Sequence, residues 1–318
     1  MVLTIHNKIC NLLLGDVLHI NAQLGRIQQK EEFMKIVSIE KPLKLKNDGE
    51  LEIVFLGVGS ASAKTLNQTN FLIIKGTEHI LVDFGMTGPK ALLETTGLEP
   101  MDIEVMLPTH SHADHIGGIE SLALLNRYVG RKFMGKQKIV MIINRDYQRV
   151  LWENSLRGGL EYNEEEQATK KALSFGDYFT VVRPEWKAHQ PREIFQVKFG
   201  DIKLEIFQTN HIPDSSTNWE GGFNSYGLLI DDRIFVSGDT KFDPKLIEMY
   251  KDRSEVMFHD CQFFTGGVHS SLEELKTLPD DARNKMFLLH YSDDWEKKNI
   301  EAIQSNFRWT KQGVRYMF

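Results

Sequence analysis

The sequence predicts a layered α/β fold, and three observations predict it. Strand-like apolar runs and helix-like segments interleave from residue 51 onward. The chain has 318 residues and is 41% hydrophobic, enough to bury a full α/β core. Four side chains of metal-ligand type, His110, His112, Asp114 and His115, crowd into six residues directly behind the apolar stretch Val105 to Leu107. That crowding suits the mouth of a buried strand and is hard to explain by packing.

Taken in order, residues 1 to 48 read as a small appended module. They carry no candidate ligand and end in a polar, turn-rich junction, Lys41-Pro42-Leu43-Lys44-Leu45-Lys46-Asn47-Asp48-Gly49, which leaves 49–318 as the catalytic domain. Leu51 to Ser60 read as a buried first strand and a glycine turn, and residues 51 to 83 are strand-rich. Helices are expected over Gly88 to Thr95 and Gly117 to Tyr128, a strand over Lys138 to Ile143, and helices over Asp146 to Leu156 and Glu164 to Leu173. The last of these belongs to an acidic insertion, Glu161 to Lys171, entered through Gly158-Gly159. Strands follow at 194 to 208, 226 to 237 and 286 to 290.

The spacing His110-Ser-His112-Ala-Asp114-His115 has a chemical reading of its own. Residues two apart in an extended segment point the same way, so His110 and His112 can hold one ion while Asp114 and His115, beyond the bend, reach a second. Two adjacent divalent ions lower the pKa of a shared water from about 16 to about 7, which supplies a nucleophile without a nucleophilic side chain.

This motif resembles that of the metallo-β-lactamase superfamily, with the likeness running over residues 51 to 318. The resemblance implies a four-layer αββα sandwich and distant ligands at strand ends. Candidates occur in the expected order: His211 after Phe207-Gln208-Thr209-Asn210, Asp239 after Ile234 to Gly238, and His290 after Phe287-Leu288-Leu289. It implies that His110, His112 and His211 bind a first metal, that Asp114, His115 and His290 bind a second, and that Asp239 bridges. Asp114 would also accept a proton from the attacking water, and Asp83, in Ile80-Leu81-Val82-Asp83-Phe84-Gly85, would orient a histidine ligand through its free ring nitrogen. Gly267-Val268-His269-Ser270-Ser271, ahead of Leu289-His290-Tyr291-Ser292, is similar to the ending of the ribonuclease Z-like branch, which includes cyclic-nucleotide phosphodiesterases. There the first of these histidines donates to the scissile phosphate or leaving group, a role that falls on His269. Phe258-His259-Asp260-Cys261 is similar to that branch's acid-bearing segment, with Asp260 as the acid.

Composition narrows the partners. The net charge of −6 supplies no cationic stripe, and the long basic arm by which ribonuclease Z grips transfer RNA is not found. Arg127, Arg131, Lys132 and Lys136 form a local basic run that reads as solvated surface. The expected substrate is therefore a small phosphodiester, with RNA not favoured. Phe223, Asn224, Ser225 and Tyr226 are candidate substrate contacts, and Trp219, Phe263 and Phe264 candidate stacking groups. A histidine-rich, thiolate-free set favours two Zn2+, with Mn2+ or Fe as alternatives. Cys10 and Cys261 make no disulfide framework and no stretch matches a membrane span, so a soluble cytoplasmic protein is expected. The apolar residues Ile5, Ile9, Leu12 to Leu14, Val17, Leu18 and Ile20 suggest, with the family likeness, a homodimer. Competing readings are a ribonuclease Z-type endonuclease, a lactone or thioester hydrolase, and a diiron oxygen-handling protein. The last is disfavoured because that branch commonly has a glutamate where this chain has His112.

Overall fold

A computed structural model describes residues 34–166 and 171–318. Its frame is two eight-stranded sheets. The first runs, in spatial order, Lys35–Ser38, Val314–Met317, Glu52–Gly57, Asn70–Lys75, Glu78–Val82, Val105–Leu107, Ile139–Ile142 and Phe179–Val182. The second runs Glu185–Trp186, Ile194–Phe199, Ile202–Gln208, Tyr226–Ile230, Ile234–Val236, Val256–Asp260, Met286–Leu289 and Arg308–Trp309. Each sheet is antiparallel along its first half and parallel along its second. The inner parallel strands Val105–Leu107, Ile139–Ile142 and Met286–Leu289 are continuous apolar runs, as expected of strands covered on both faces. Helices complete the four layers.

The sheets meet through aromatic rings. Phe55 of the first sheet lies 4.8 Å from Phe258 of the second, and Tyr316 packs edge-on to Phe258 at 5.3 Å and to Phe287 at 5.8 Å. Tilted and edge-on pairs of this kind add about 0.5–1.5 kcal/mol each beyond area burial. Outside the first sheet, helix Gly88–Thr96 starts with a proline in its first turn and buries Ala91 and Leu92. It stops where left-handed Gly97 donates its N–H to the Leu93 carbonyl at 2.9 Å.

Among the described residues of the expected helix over Glu164 to Leu173, none is helical. Glu165–Glu166 pairs antiparallel with Lys171–Ala172, and a tertiary contact explains the override of local propensity. Glu164 is extended because its carboxylate takes two hydrogen bonds from Arg127, at 3.1 and 2.9 Å. The same contact spends part of the basic run: Arg127 and Arg131 both donate to the Asp177 carbonyl, and Lys136 pairs with Glu104. The expected helices at 117–128 and 146–156 are present in shorter α-form, Ile119–Leu125 and Arg145–Leu151, each running on into a π-turn.

Of the N-terminal segment, residues 34–48 are described. Lys35–Ser38 adds an edge strand antiparallel to Val314–Met317, and Leu43 is buried, with its N–H donated to Thr96 O at 2.8 Å. Cys10 and the apolar residues from Ile5 to Ile20 lie outside the described residues. Among the described residues no helix is long and apolar enough to cross a membrane.

Candidate metal centre

Each ligand candidate sits where a strand gives way to a loop. The strand Val105–Leu107 delivers His110, His112 begins the short helix Ala113–Ile116, and that helix carries Asp114 and His115. His211 follows Ile202–Gln208, Asp239 follows Ile234–Val236, and His290 follows Met286–Leu289. Two glycines let these loops converge. A Cβ on Gly85 would lie 1.8 Å from the Asp114 carbonyl oxygen, and Gly238, at φ +60°, would set one 2.3 Å from the Tyr226 carbonyl oxygen. Asp83 and His290 are themselves left-handed, at φ 58° and 59°, a conformation that side chains with a Cβ adopt at a cost and that recurs at functional sites.

The side chains form two adjoining groups that share Asp239: His110, His112, His211 and Asp239, and Asp114, His115, Asp239 and His290. The donor atoms of each group lie within 4.8 Å of one another. Asp239 Oδ2 is the common point, 3.2 Å from His115 Nε2, 3.4 Å from His290 Nε2 and 3.7 Å from both His110 Nε2 and His211 Nε2. His112 turns its Nδ1 to within 3.1 Å of His211 Nε2, and Asp114 Oδ2 stands 3.3 Å from His115 Nε2 and 3.2 Å from His290 Nε2. The seven side chains named from the sequence are thus brought together, in two groups that meet at Asp239.

Whether these residues suit metal ions is tested by what the buried atoms do. His110 Nε2, His115 Nε2 and Asp239 Oδ2 are buried and make no hydrogen bond, although they face one another at close range. Buried polar atoms are otherwise nearly always paired, and an orphaned set of two imidazole nitrogens and a carboxylate oxygen is the donor set of a transition-metal site. Electrostatics agree. Burial holds His110 well below the usual imidazole range and His211 down to about 4, so both present neutral nitrogens. Burial acts the same way on His115, yet Asp239, Asp83 and Asp114 together push that imidazole well above its usual range. Negative potential at the centre is therefore strong enough to hold positive charge.

Partners outside the ligand set fix the ring orientations. His115 Nδ1 donates to Asp83 Oδ2 at 2.8 Å, while Thr109 gives Asp83 its N–H and its hydroxyl, both at 2.7 Å. His211 Nδ1 donates to the Val268 carbonyl at 2.9 Å. Contacts of this kind are typically worth about 10–100-fold in metal affinity. Asp83 was legible in the sequence. Thr109 and the Val268 carbonyl were not, although Thr109 directly precedes the motif and could have been found there.

His269 stands beside the centre without belonging to either shared group. Its ring stacks on His290 at 4.7 Å, its Nδ1 is 2.8 Å from Asp260 Oδ2, and that carboxylate also accepts the Thr240 N–H at 3.0 Å. Burial opposes a charge on His269, but Asp260 beside it raises its pKa to about 9. Asp260, His269 and His290 form a third close group of ligand-type residues.

The candidate substrate contacts divide. Phe223 is 45% exposed and Asn224 partly so, on the loop that follows His211. Ser225 is buried, its hydroxyl held between Thr209 and the Asp239 carbonyl, and Tyr226 is buried with its hydroxyl donated to Asn224 Oδ1 at 3.0 Å. Ser225 therefore braces the Asp239 loop, while the Tyr226 ring packs between Tyr147 and Phe195, and both side chains are buried. Phe264 is 66% exposed on the loop before His269, and Phe263 is half-buried against Trp309.

Comparison with known proteins places this geometry. The family model described as anti-Pycsar protein Apyc1 matches residues 51–316. An Apyc1 protein of Bacillus phage BSP38 is 37% identical over 268 residues, covering 84% of this chain and 98% of its own length. One of Paenibacillus sp. (strain J14) is 35% identical over 269 residues, again covering 84% and 98%. Among solved structures, the metallo-β-lactamase fold protein YhfI from Bacillus subtilis superposes with TM-score 0.62 at 15% identity, over 85% of this chain and all of its own. The short form of human tRNase Z superposes with TM-score 0.55 at 16% identity, over 83% and 98%. At such identities the likeness shows the metallo-β-lactamase fold.

Proposed function

The chain belongs to the anti-Pycsar Apyc1 family, and from that premise we propose that it is a dinuclear-metal phosphodiesterase acting on a small, cyclic nucleotide. The observation that carries the reading is His269: an imidazole braced by Asp260 at 2.8 Å stands against the ligand group without being needed to complete either shared set. A proton donor so placed is what departure of an alkoxide from phosphorus requires. The family's name, anti-Pycsar protein, is consistent with this.

His110, His112 and His211 would hold one divalent ion, Asp114, His115 and His290 the other, and Asp239 both, with zinc favoured by the donor set. Ions bound there supply an activated water and neutralise phosphate oxygens. The chain's own residues do the rest. Asp114, held below the usual carboxylate range by His115 and His290 despite its burial, is ionised and placed to accept a proton. Phe223 and Asn224 are the open groups on the His211 loop that would meet the nucleoside. The family match beginning at residue 51 supports a catalytic domain of 49–318, onto which residues 34–48 pack through the edge strand Lys35–Ser38 and the buried Leu43.

The purified protein is expected to turn over cyclic nucleotides and bis-p-nitrophenyl phosphate in preference to a chromogenic lactone, and to process precursor transfer RNA poorly. In the basic run, Arg127 and Lys136 are ion-paired with Glu164 and Glu104, which reduces the cationic charge that segment can offer to phosphates. Efficient, salt-sensitive RNA processing would reverse that ranking, and faster lactone cleavage would replace phosphorus by carbonyl chemistry. In solution the protein is expected to be a homodimer. Light scattering at micromolar concentration should give twice the chain mass, and a monomer mass would end the dimer reading.

A further inference from the structure

The loop from Ser60 to Asn67 joins strands Glu52–Gly57 and Asn70–Lys75, and its root is bridged to Tyr291, the residue after His290. Its roots are pinned to segments that carry site residues. Ser60 donates its N–H to the Tyr291 carbonyl at 3.1 Å, next to His290, and Gln68 exchanges hydrogen bonds of 2.9 and 3.1 Å with Thr87, just beyond Asp83 and Gly85. The tip has no regular structure and exposes Ala61, Ser62, Lys64 and Thr65. Gln68 Nε2 donates to the Ala61 carbonyl at 3.3 Å, and the Asp293 side chain, distant in sequence, holds the next stretch of the tip. The Asp293 carboxylate accepts the N–H groups of Lys64 at 2.7 Å, Thr65 at 3.1 Å and Leu66 at 3.1 Å, and the Thr65 hydroxyl at 2.7 Å. Three successive amides closing on one anion form a nest, and bonds to an ionised acceptor are the strong kind. Asp293 lies three residues beyond His290, so the element that supplies a ligand also holds the loop.

We propose that Asp293 is a positioning residue, which holds the 60–67 loop in place as the wall of the cleft beside His290 and so prepares that wall to receive substrate. The inference rests on the phosphodiesterase reading for what the cleft receives, and on geometry alone for the clamp. A wall ordered in advance adds no ordering cost to binding, whereas a released loop must be ordered by the substrate itself. Its loss should therefore appear in KM more than in kcat.

Lys64 makes the clamp directly readable, because trypsin cuts after lysine and a clamped backbone resists it. In the full-length, metal-loaded Asp293→Ala protein, cleavage after Lys64 should accelerate by about tenfold or more. KM for a small phosphodiester should rise by roughly tenfold, with kcat within about threefold of wild type and metal content unchanged. Asp293→Asn, which keeps one acceptor oxygen but turns an amide against three donors, should fall between. Unchanged cleavage after Lys64 would overturn the clamp. Faster cleavage with an unchanged KM would overturn the wall, and loss of metal would make Asp293 a support of His290 instead. A wild-type protein that turns over no phosphodiester would remove the reading beneath the proposal, while cleavage after Lys64 still decides whether Asp293 holds the loop.

Discussion

Asp239→Ala is expected to strip the folded protein of most of the two metal ions per chain that the wild type should carry, as read by elemental analysis of dialysed protein. The magnitude follows from placement. Asp239 Oδ2 lies between 3.2 and 3.9 Å from nitrogens of His115, His290, His110, His211 and His269, so it is the single atom that both ligand groups share. Removing it costs each ion an anionic donor and leaves four ligand-group histidines facing one another without the charge that draws cations to them. His115→Ala offers the contrast, since His115 belongs to the second group only and its loss should empty mainly that site. An Asp239→Ala protein with full metal content would sink the bridging assignment, and a His115→Ala protein that lost both ions equally would sink the partition.

How much of this was legible in the sequence depends on the range of the interaction. Four of the ligand candidates, His110, His112, Asp114 and His115, were legible from their spacing within six residues, and His211, Asp239 and His290 because each follows an apolar strand, whose end fixes a side chain locally before any tertiary contact is known. Asp83 was legible for the same reason. Glu164 to Leu173 was misread because a tertiary pair with Arg127, 37 residues away, decides the backbone there. Local helical patterning carries no trace of that partner. Ser225 and Tyr226 were offered as substrate contacts because they neighbour the ligands in sequence. Alternation along a strand decides which way each side chain faces, and burial between Thr209 and the Asp239 loop turned Ser225 inward. The pairing of Lys35–Ser38 with Val314–Met317 and the grip of Asp293 on Lys64, 229 residues away, join distant parts of the chain that no local pattern connects.

His269→Ala is expected to keep both metal ions and to lose about 10² to 10⁴-fold in kcat on an unactivated phosphodiester, the usual contribution of a positioned general acid. Geometry separates this variant from a ligand variant. His269 Nδ1 is engaged by Asp260 at 2.8 Å and is the most distant of the histidine nitrogens around Asp239 Oδ2, at 3.9 Å, while the two groups that share Asp239 are complete without it. Asp260 raises the ring's affinity for its proton, which favours the form that can donate to the leaving oxygen. A substrate with p-nitrophenolate as leaving group departs without a proton, so the same variant should lose far less on bis-p-nitrophenyl phosphate than on a cyclic nucleotide. That difference between substrates is what a structural role would not produce, because a distorted site slows both alike. Equal losses on the two esters, or loss of metal, would make His269 a structural residue or a ligand and leave the departing oxygen to be protonated by another group.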